Sequence, residues 1–334
     1  MISASDLEYH TPANANHEWA ETYFLPIPLP HEHLFVQVYV VVRPTVGVMT
    51  NDIVVYSALA DNRFEMSYLD IYQHLPAPKR FSDIDSPSGL KIKAVNPPKD
   101  YRIDYVGYDD TELHVDWKGI MEPWDMHDAS HSPQTYATDA ERLANTSMGS
   151  GYRGHFDMHG RITGTLTLRG KHYAVDAIDR MDHSWGERNE MSVPSMNSIS
   201  ITIGEHFALR LLAKLDVNAP TATAQKFAHG YVLDHGKLFP LTGMKLLTTR
   251  AGSIVTGMLL EVTDISGRTF SLQGSADVGA PWMAYGGSVC WNSMMRWTMN
   301  GQVGHGIVME NLSFRDLQRS RGRTWADLPA TFSG

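Results

Sequence analysis

Residues 176–188 read Asp-Ala-Ile-Asp-Arg-Met-Asp-His-Ser-Trp-Gly-Glu-Arg, placing four acids, two arginines, a histidine and a tryptophan in thirteen positions. Two strand-like runs precede the focus of this stretch, 151–167 and 172–178. They are joined by Leu168-Arg169-Gly170-Lys171, which reads as a hairpin turn and puts Asp182-His183-Ser184-Trp185-Gly186 at a strand end. Working outward, residues 34–42 (Leu-Phe-Val-Gln-Val-Tyr-Val-Val-Val) are β-branched and aromatic throughout, as a largely buried strand requires, and Arg43-Pro44 stops them. Further strands are expected at 52–59, 64–72, 90–95 (an edge strand between prolines) and within 101–117. In the second half they are expected at 198–203, 207–215, 227–234, 237–248, 254–263, 269–278 and 302–310. Short strands at regular spacing with little helix predict an all-β chain of antiparallel barrels or sandwiches. Periodicity fails over 121–150, read as a long loop with a short helix near 136–143 that crosses a barrel mouth as a lid or binding loop.

A chain of 334 residues with 43% hydrophobic content has material for two cores. The polar break 186–195, with Pro194, places the boundary, giving units 1–188 and 189–334. With 28 basic against 37 acidic residues and no basic run, the net charge of -9 argues against nucleic acid as a partner. The single cysteine, Cys290, permits no intrachain disulfide and no multi-thiolate metal site. The polar start lacks a hydrophobic signal core, and no apolar run is long enough to span a bilayer, so a cytoplasmic protein is expected.

Several motifs fail on context. Gly149-Ser150-Gly151-Tyr152-Arg153-Gly154 matches the dinucleotide fingerprint but leads into a strand rather than a helix. His31-Glu32-His33 and the group Asp125, His127, Asp128 and His131 lack partners at metal-site spacing, so no metal and no cofactor are expected. Neither a Gly-x-Ser-x-Gly elbow nor a phosphate-binding Gly-x-x-x-x-Gly-Lys loop occurs.

Within the central motif, Asp182 can supply a proton, His183 can relay one, and Trp185 offers an aromatic face to a cation; the bland alternative is a satisfied polar cluster capping a core. The chain has seventeen methionines and eight tryptophans, which cluster in places such as Trp282-Met283-Ala284-Tyr285 and Trp291-Asn292-Ser293-Met294-Met295-Arg296-Trp297. Such adaptable side chains line cavities for large apolar ligands, although core filling or a surface for a second subunit are alternatives.

The run 152–188 contains His155-Phe156-Asp157, Gly160-Arg161-Ile162-Thr163-Gly164 and the Asp-His-Ser-Trp-Gly segment. With Glu18-Trp19 and Gly304-His305-Gly306-Ile307-Val308-Met309-Glu310, it resembles the carotenoid 1,2-hydratase and AttH-like superfamily. The resemblance implies two lipocalin-like antiparallel barrels or sandwiches packed together around an apolar small-molecule substrate. It also implies members that hydrate isoprenoid or prenylated molecules, or guide cyclisation, without a cofactor. His183 and Trp185 match the motif's histidine and tryptophan. Those hydratases are thought to carry an acidic residue on the next strand, whereas 207–213 offers Arg210 and no carboxylate. The resulting expectation is a hydratase or dehydratase, with isomerase or cyclase chemistry as alternatives. Its catalytic candidates are Asp182, His183, Trp185 and Arg188, the last able to hold a substrate carbonyl or phenolate. Its substrate-binding candidates are His155, Asp157, Trp282, Tyr285 and Trp291. A non-catalytic carrier of a hydrophobic ligand is the rival reading.

Overall fold

The computed structural model describes residues 2–131, 134, 136–252 and 254–321; the expectations touching 132, 133, 135 and 322–334 lie outside these described residues. The first half is one antiparallel sheet built from β1 (Trp19–Leu29), β2 (Leu34–Arg43), β3 (Val48–Tyr56), β4 (Tyr68–Pro76), β5 (Asp83–Asp85), β6 (Leu90–Asn96), β7 (Asp100–Val106), β8 (Glu112–Gly119), β9 (Trp124–Asp125), β10 (Gly154–Leu168) and β11 (Lys171–Glu187). Its order is β4-β3-β2-β1-β11-β10-β8-β7-β6-β5, with β9 added beside β10, and the sheet curls into a half-barrel. The second half is a closed barrel of β12 (Met196–Ile203), β13 (Phe207–Leu215), β14 (Gln225–Asp234), β15 (Lys237–Ala251), β16 (Ile254–Asp264), β17 (Thr269–Trp282), β18 (Ser288–Met299) and β19 (Gln302–Ser313), with β12 pairing both β13 and β19. Three α-helices are described: α1 (Asp139–Asn145), α2 (Thr221–Ala224) and α3 (Phe314–Arg321). No helix among the described residues is long and apolar enough to cross a membrane.

The burial of each strand follows from what lies on its two faces. Strands β6 to β8 alternate buried and exposed residues, because one face packs on the core and the other meets solvent. Strand β2 is buried at nine of its ten positions, which is why its sequence is a continuous apolar run. Val36, Val38, Val40 and Val42 fill the concave core of the first half, whereas Phe35, Tyr39 and Val41 pack against Val278, Ala280, Trp282 and Met294 of the barrel. The halves also share backbone hydrogen bonds, Ala60 N–H to Gly279 O and Gly279 N–H to Ala58 O, both 2.9 Å.

Four strands are absent from the sequence expectation, the short β5 and β9 and the longer β1 and β18. Strand β1 contains Pro26 and Pro28, which argue against a central strand, yet it sits between β2 and β11. The register resolves the conflict: β11 pairs β1 only from Trp19 to Phe24, so both prolines fall where that edge is unpaired and the missing N–H groups cost no ladder bond. Strand β18 is the Met- and Trp-rich stretch that sequence composition assigns to a cavity wall. The hairpin 168–171 forms as expected, but β11 does not stop before the motif. It continues to Glu187 and carries the motif inside the sheet.

Candidate functional site

A strand points successive side chains to opposite faces, so the continuation of β11 divides the motif in two. Asp182 and Ser184 face the barrel, alongside Thr22 and Phe24 of β1, with Arg188 just beyond the strand end. His183 and Trp185 face the concave interior, alongside Glu21 and Tyr23. The five-residue segment thus serves two separate environments.

On the barrel side lies a cavity of about 50 Å³ between the halves. Its wall includes Phe24, Tyr39, Met148, Tyr152, Asp182, Ser184, Arg188, Met196, Trp282, Tyr285 and Met309. Of the sequence candidates, Asp182, Arg188, Trp282 and Tyr285 meet here. Arg188 is only 5% exposed and donates from Nη1 to Tyr285 Oη (2.7 Å), from Nη2 to Ser184 Oγ (2.5 Å) and from Nε to the Gly151 carbonyl (3.3 Å). No carboxylate among the described residues lies within ion-pair distance of it. Burial works against its charge, but the oxygens of Tyr285, Tyr39 and Tyr152 favour the cation and raise its pKa above the ordinary arginine value. The two hydroxyls it contacts have further partners: Tyr285 with Tyr39 (3.0 Å), and Ser184 with Thr22 (2.9 Å). Burial likewise pushes the Tyr39 hydroxyl well up, so it stays neutral.

Next to this cavity a polar seam joins β10 and β11 to the barrel. Arg210 Nε donates to Asp157 Oδ1 (2.7 Å), His155 Nε2 to Asp157 Oδ2 (2.9 Å), and Arg180 to Asp182 Oδ2, while Arg180 and Arg210 both donate to Ser198 Oγ (2.8 Å each). Burial alone would raise the Asp157 pKa; Arg210, His155 and Arg180 overcome it and hold the carboxyl well below the usual range. The arginine that stands where the resemblance expects an acid therefore has a partner, Asp157, in the other half. Trp282 donates to Asp52 Oδ2 (2.7 Å), and burial raises the Asp52 pKa to about 7 despite that bond. Trp291 does not join the cavity: it points into the barrel core with Met295 and Trp297.

On the concave side His183 is fully buried among Tyr23, Phe81, Phe156 and Trp185. Its Nδ1–H donates to the Thr22 carbonyl (2.9 Å), leaving Nε2 as an acceptor with no hydrogen-bond partner. Burial lowers its pKa to about 4, so at neutral pH it is a base rather than an acid. His10 stacks flat on Trp185, with ring centroids 3.6 Å apart, and Glu21 lies between the two imidazoles. Sequence reasoning passed over His10 and Glu21 because the first sits in a polar leader and the second in the strand hidden by prolines. It also missed Tyr39, Tyr152 and Ser184; for Ser184 the signal was available, since period-two alternation groups it with Asp182.

The fold, a half-barrel sheet packed on a closed eight-stranded barrel, is shared with solved structures of low sequence identity. An AttH-like protein from Nitrosomonas europaea superposes with a TM-score of 0.57 at 12% identity, over 89% of this chain and 92% of that one. Kievitone hydratase from Nectria haematococca gives 0.53 at 10% identity, covering 91% and 90%. CghA gives 0.53 at 10% identity, covering 90% of each chain. No curated protein matches. The chain belongs to the family described as Domain of unknown function (DUF7064), whose model matches residues 3–313.

Proposed function

We propose that this protein is an acid–base enzyme of hydratase or dehydratase type, acting on an apolar small molecule that carries an anionic or enolisable oxygen. The observation that carries this reading is Arg188, a buried guanidinium held by two hydroxyls and a carbonyl, with no carboxylate at ion-pair distance among the described residues, in the wall of a cavity lined by both apolar and polar side chains. Burying a charge costs several kcal/mol unless something opposite in sign meets it, and a ligand phenolate, enolate or carboxylate supplies that partner. The hydratase among the structural neighbours supports the reaction class.

In this proposal the substrate oxygen takes hydrogen bonds from Arg188 and Tyr285. Asp182 removes the proton α to the carbonyl, the charge develops on the held oxygen, and hydroxide leaves from the β carbon with a returned proton as water; hydration runs the same steps backward. The alternative of protonating an alkene is less well served: Asp182 Oδ2 already accepts from Arg180, and burial keeps His183 neutral on the opposite face. The cavity is smaller than the roughly 300–1,000 Å³ of ordinary ligand sites. We therefore assign a lid role to the segment that bears Met148 and Tyr152, which withdraws to admit substrate. Residues 1–188 and 189–334 are proposed as the two units that the cavity separates.

Incubation with α,β-unsaturated ketones in ¹⁸O-water tests the reading, the label being sought in the β-hydroxyl group. Label appearing in the product, and absent with Arg188→Met, supports it. A ligand retained without incorporation identifies the carrier that engagement of Asp182 by Arg180 would also suit.

A further inference from the structure

On the concave face of β11, opposite the proposed cavity, we infer a binding site for one divalent transition-metal ion formed by His10, Glu21 and His183. Their donor atoms lie within 4.8 Å of one another. Glu21 Oε2 is 3.2 Å from His10 Nδ1 and 4.0 Å from His183 Nε2. Two imidazoles and one carboxylate form a donor set that zinc and other first-row divalent ions take, leaving further positions for solvent.

The surroundings of each donor fit that role. Metal-binding histidines commonly tie their second ring nitrogen to a carbonyl or carboxylate, which fixes ring and tautomer. His183 does so through Thr22 O, and its Nε2, on a fully buried side chain, is left with no hydrogen bond. The second nitrogen of His10, Nε2, faces Asp6 Oδ1 at 3.8 Å. Glu21 is also fully buried, and its oxygens are sorted: Oε1 accepts from the His10 backbone N–H (2.7 Å) and from Trp19 Nε1 (3.1 Å), so Oε2 alone is presented to the imidazoles. No lysine or arginine among the described residues pairs with this carboxylate. A divalent ion supplies the missing positive charge and replaces the hydrogen of the His10–Glu21 contact, whose proton moves to Nε2 beside Asp6.

Tetrahedral sites with bonds of 2.0–2.1 Å have edges of about 3.4 Å, so the donors must draw inward. His10, 20% exposed and outside the sheet, can close on His183, and a small torsional change of the Glu21 side chain closes its 4.0 Å gap to His183 Nε2. Because His10 belongs to the leader before β1 and the other two donors to β1 and β11, the ion ties that leader onto the sheet.

Tag-free full-length protein, stripped with chelator and dialysed, is incubated with Zn²⁺ or Co²⁺ and analysed for bound metal and for the visible Co²⁺ spectrum. The expected result is one ion per chain, with affinity falling at least 10-fold in His10→Ala and in Glu21→Gln, and unchanged in Arg188→Met. Chymotryptic cleavage after Leu7 or Tyr9 should slow on adding Zn²⁺ to the wild type and not to His10→Ala, whose folding circular dichroism checks. Absence of stoichiometric uptake by the wild type, or uptake undiminished in a folded His10→Ala protein, overturns the inference. Neither result bears on the reading of the cavity, since that rests on Arg188.

Discussion

Replacing Arg188 by methionine separates a guanidinium kept for a ligand from one kept for the fold. The substitution removes three donated hydrogen bonds, but the hydroxyls of Tyr285 and Ser184 retain Tyr39 and Thr22 as partners, so only the Gly151 carbonyl loses a donor. Lost net hydrogen bonds are worth about 0.5–1.5 kcal/mol each, and relief from burying an unpaired charge returns several kcal/mol. Methionine restores most of the apolar volume. The expected outcome is stability within about 1 kcal/mol of wild type, or above it, by urea denaturation. Ligand binding should move the other way. A charge-assisted hydrogen bond contributes about 1.5–3 kcal/mol, so 2-naphthoate should bind roughly 10- to 150-fold more weakly to the variant by calorimetry. The neutral 2-naphthamide should change little. A variant that loses more than about 3 kcal/mol of stability while naphthoate affinity stays the same would show that the guanidinium serves the fold, and the proposed function would fall with it.

Asp157→Asn should destabilise by about 3–5 kcal/mol in urea, because it leaves the buried Arg210 without its carboxylate. Gly154→Ala would put a Cβ 2.0 Å from Trp185 Cε2; displacement of that indole should shift tryptophan emission and cost about 1–3 kcal/mol. His159 and His183 are held at about 3 and about 4 by burial. Both pKa values lie below the unfolded value of about 6.5, so their contribution is complete above that pH and is lost as pH falls toward 4, on the order of 3 kcal/mol for each. Denaturation at pH 7.5 and 4.5 measures it; equal stability at the two would refute the burial argument. Asp52 has the opposite sign: raised to about 7, it favours the fold below pH 4 and loses that effect as pH rises to 7. Asp52→Asn, which keeps an acceptor for Trp282, should gain up to about 4 kcal/mol at pH 8.

The architecture was legible wherever a strand shows its environment locally. The apolar run 34–42 and the alternations near 101–117 became β2, β7 and β8, because burial on two faces or one imprints directly on residue order. Strand β1 escaped because proline reads as a breaker unless the pairing partner's end is known, and that end lies more than 150 positions away. For the same reason no local pattern could bring His10 to His183 or Arg210 to Asp157. The motif itself was found, but with its placement at a strand end rather than inside β11, the alternation that parts Asp182 from His183 was not applied. Trp291 was grouped with Trp282 by composition, although β18 turns it into the barrel.

Strand β1 has a consequence for biosynthesis. It hydrogen-bonds to both β2 and β11, so its second edge is completed by residues 182–187. A nascent chain leaving the ribosome can form β1 through β4 early, but it exposes the unsatisfied side of β1 until β11 emerges, and pairing across such sequence distances is slow. During that interval the short paired length of this edge and its two prolines discourage docking by a foreign strand.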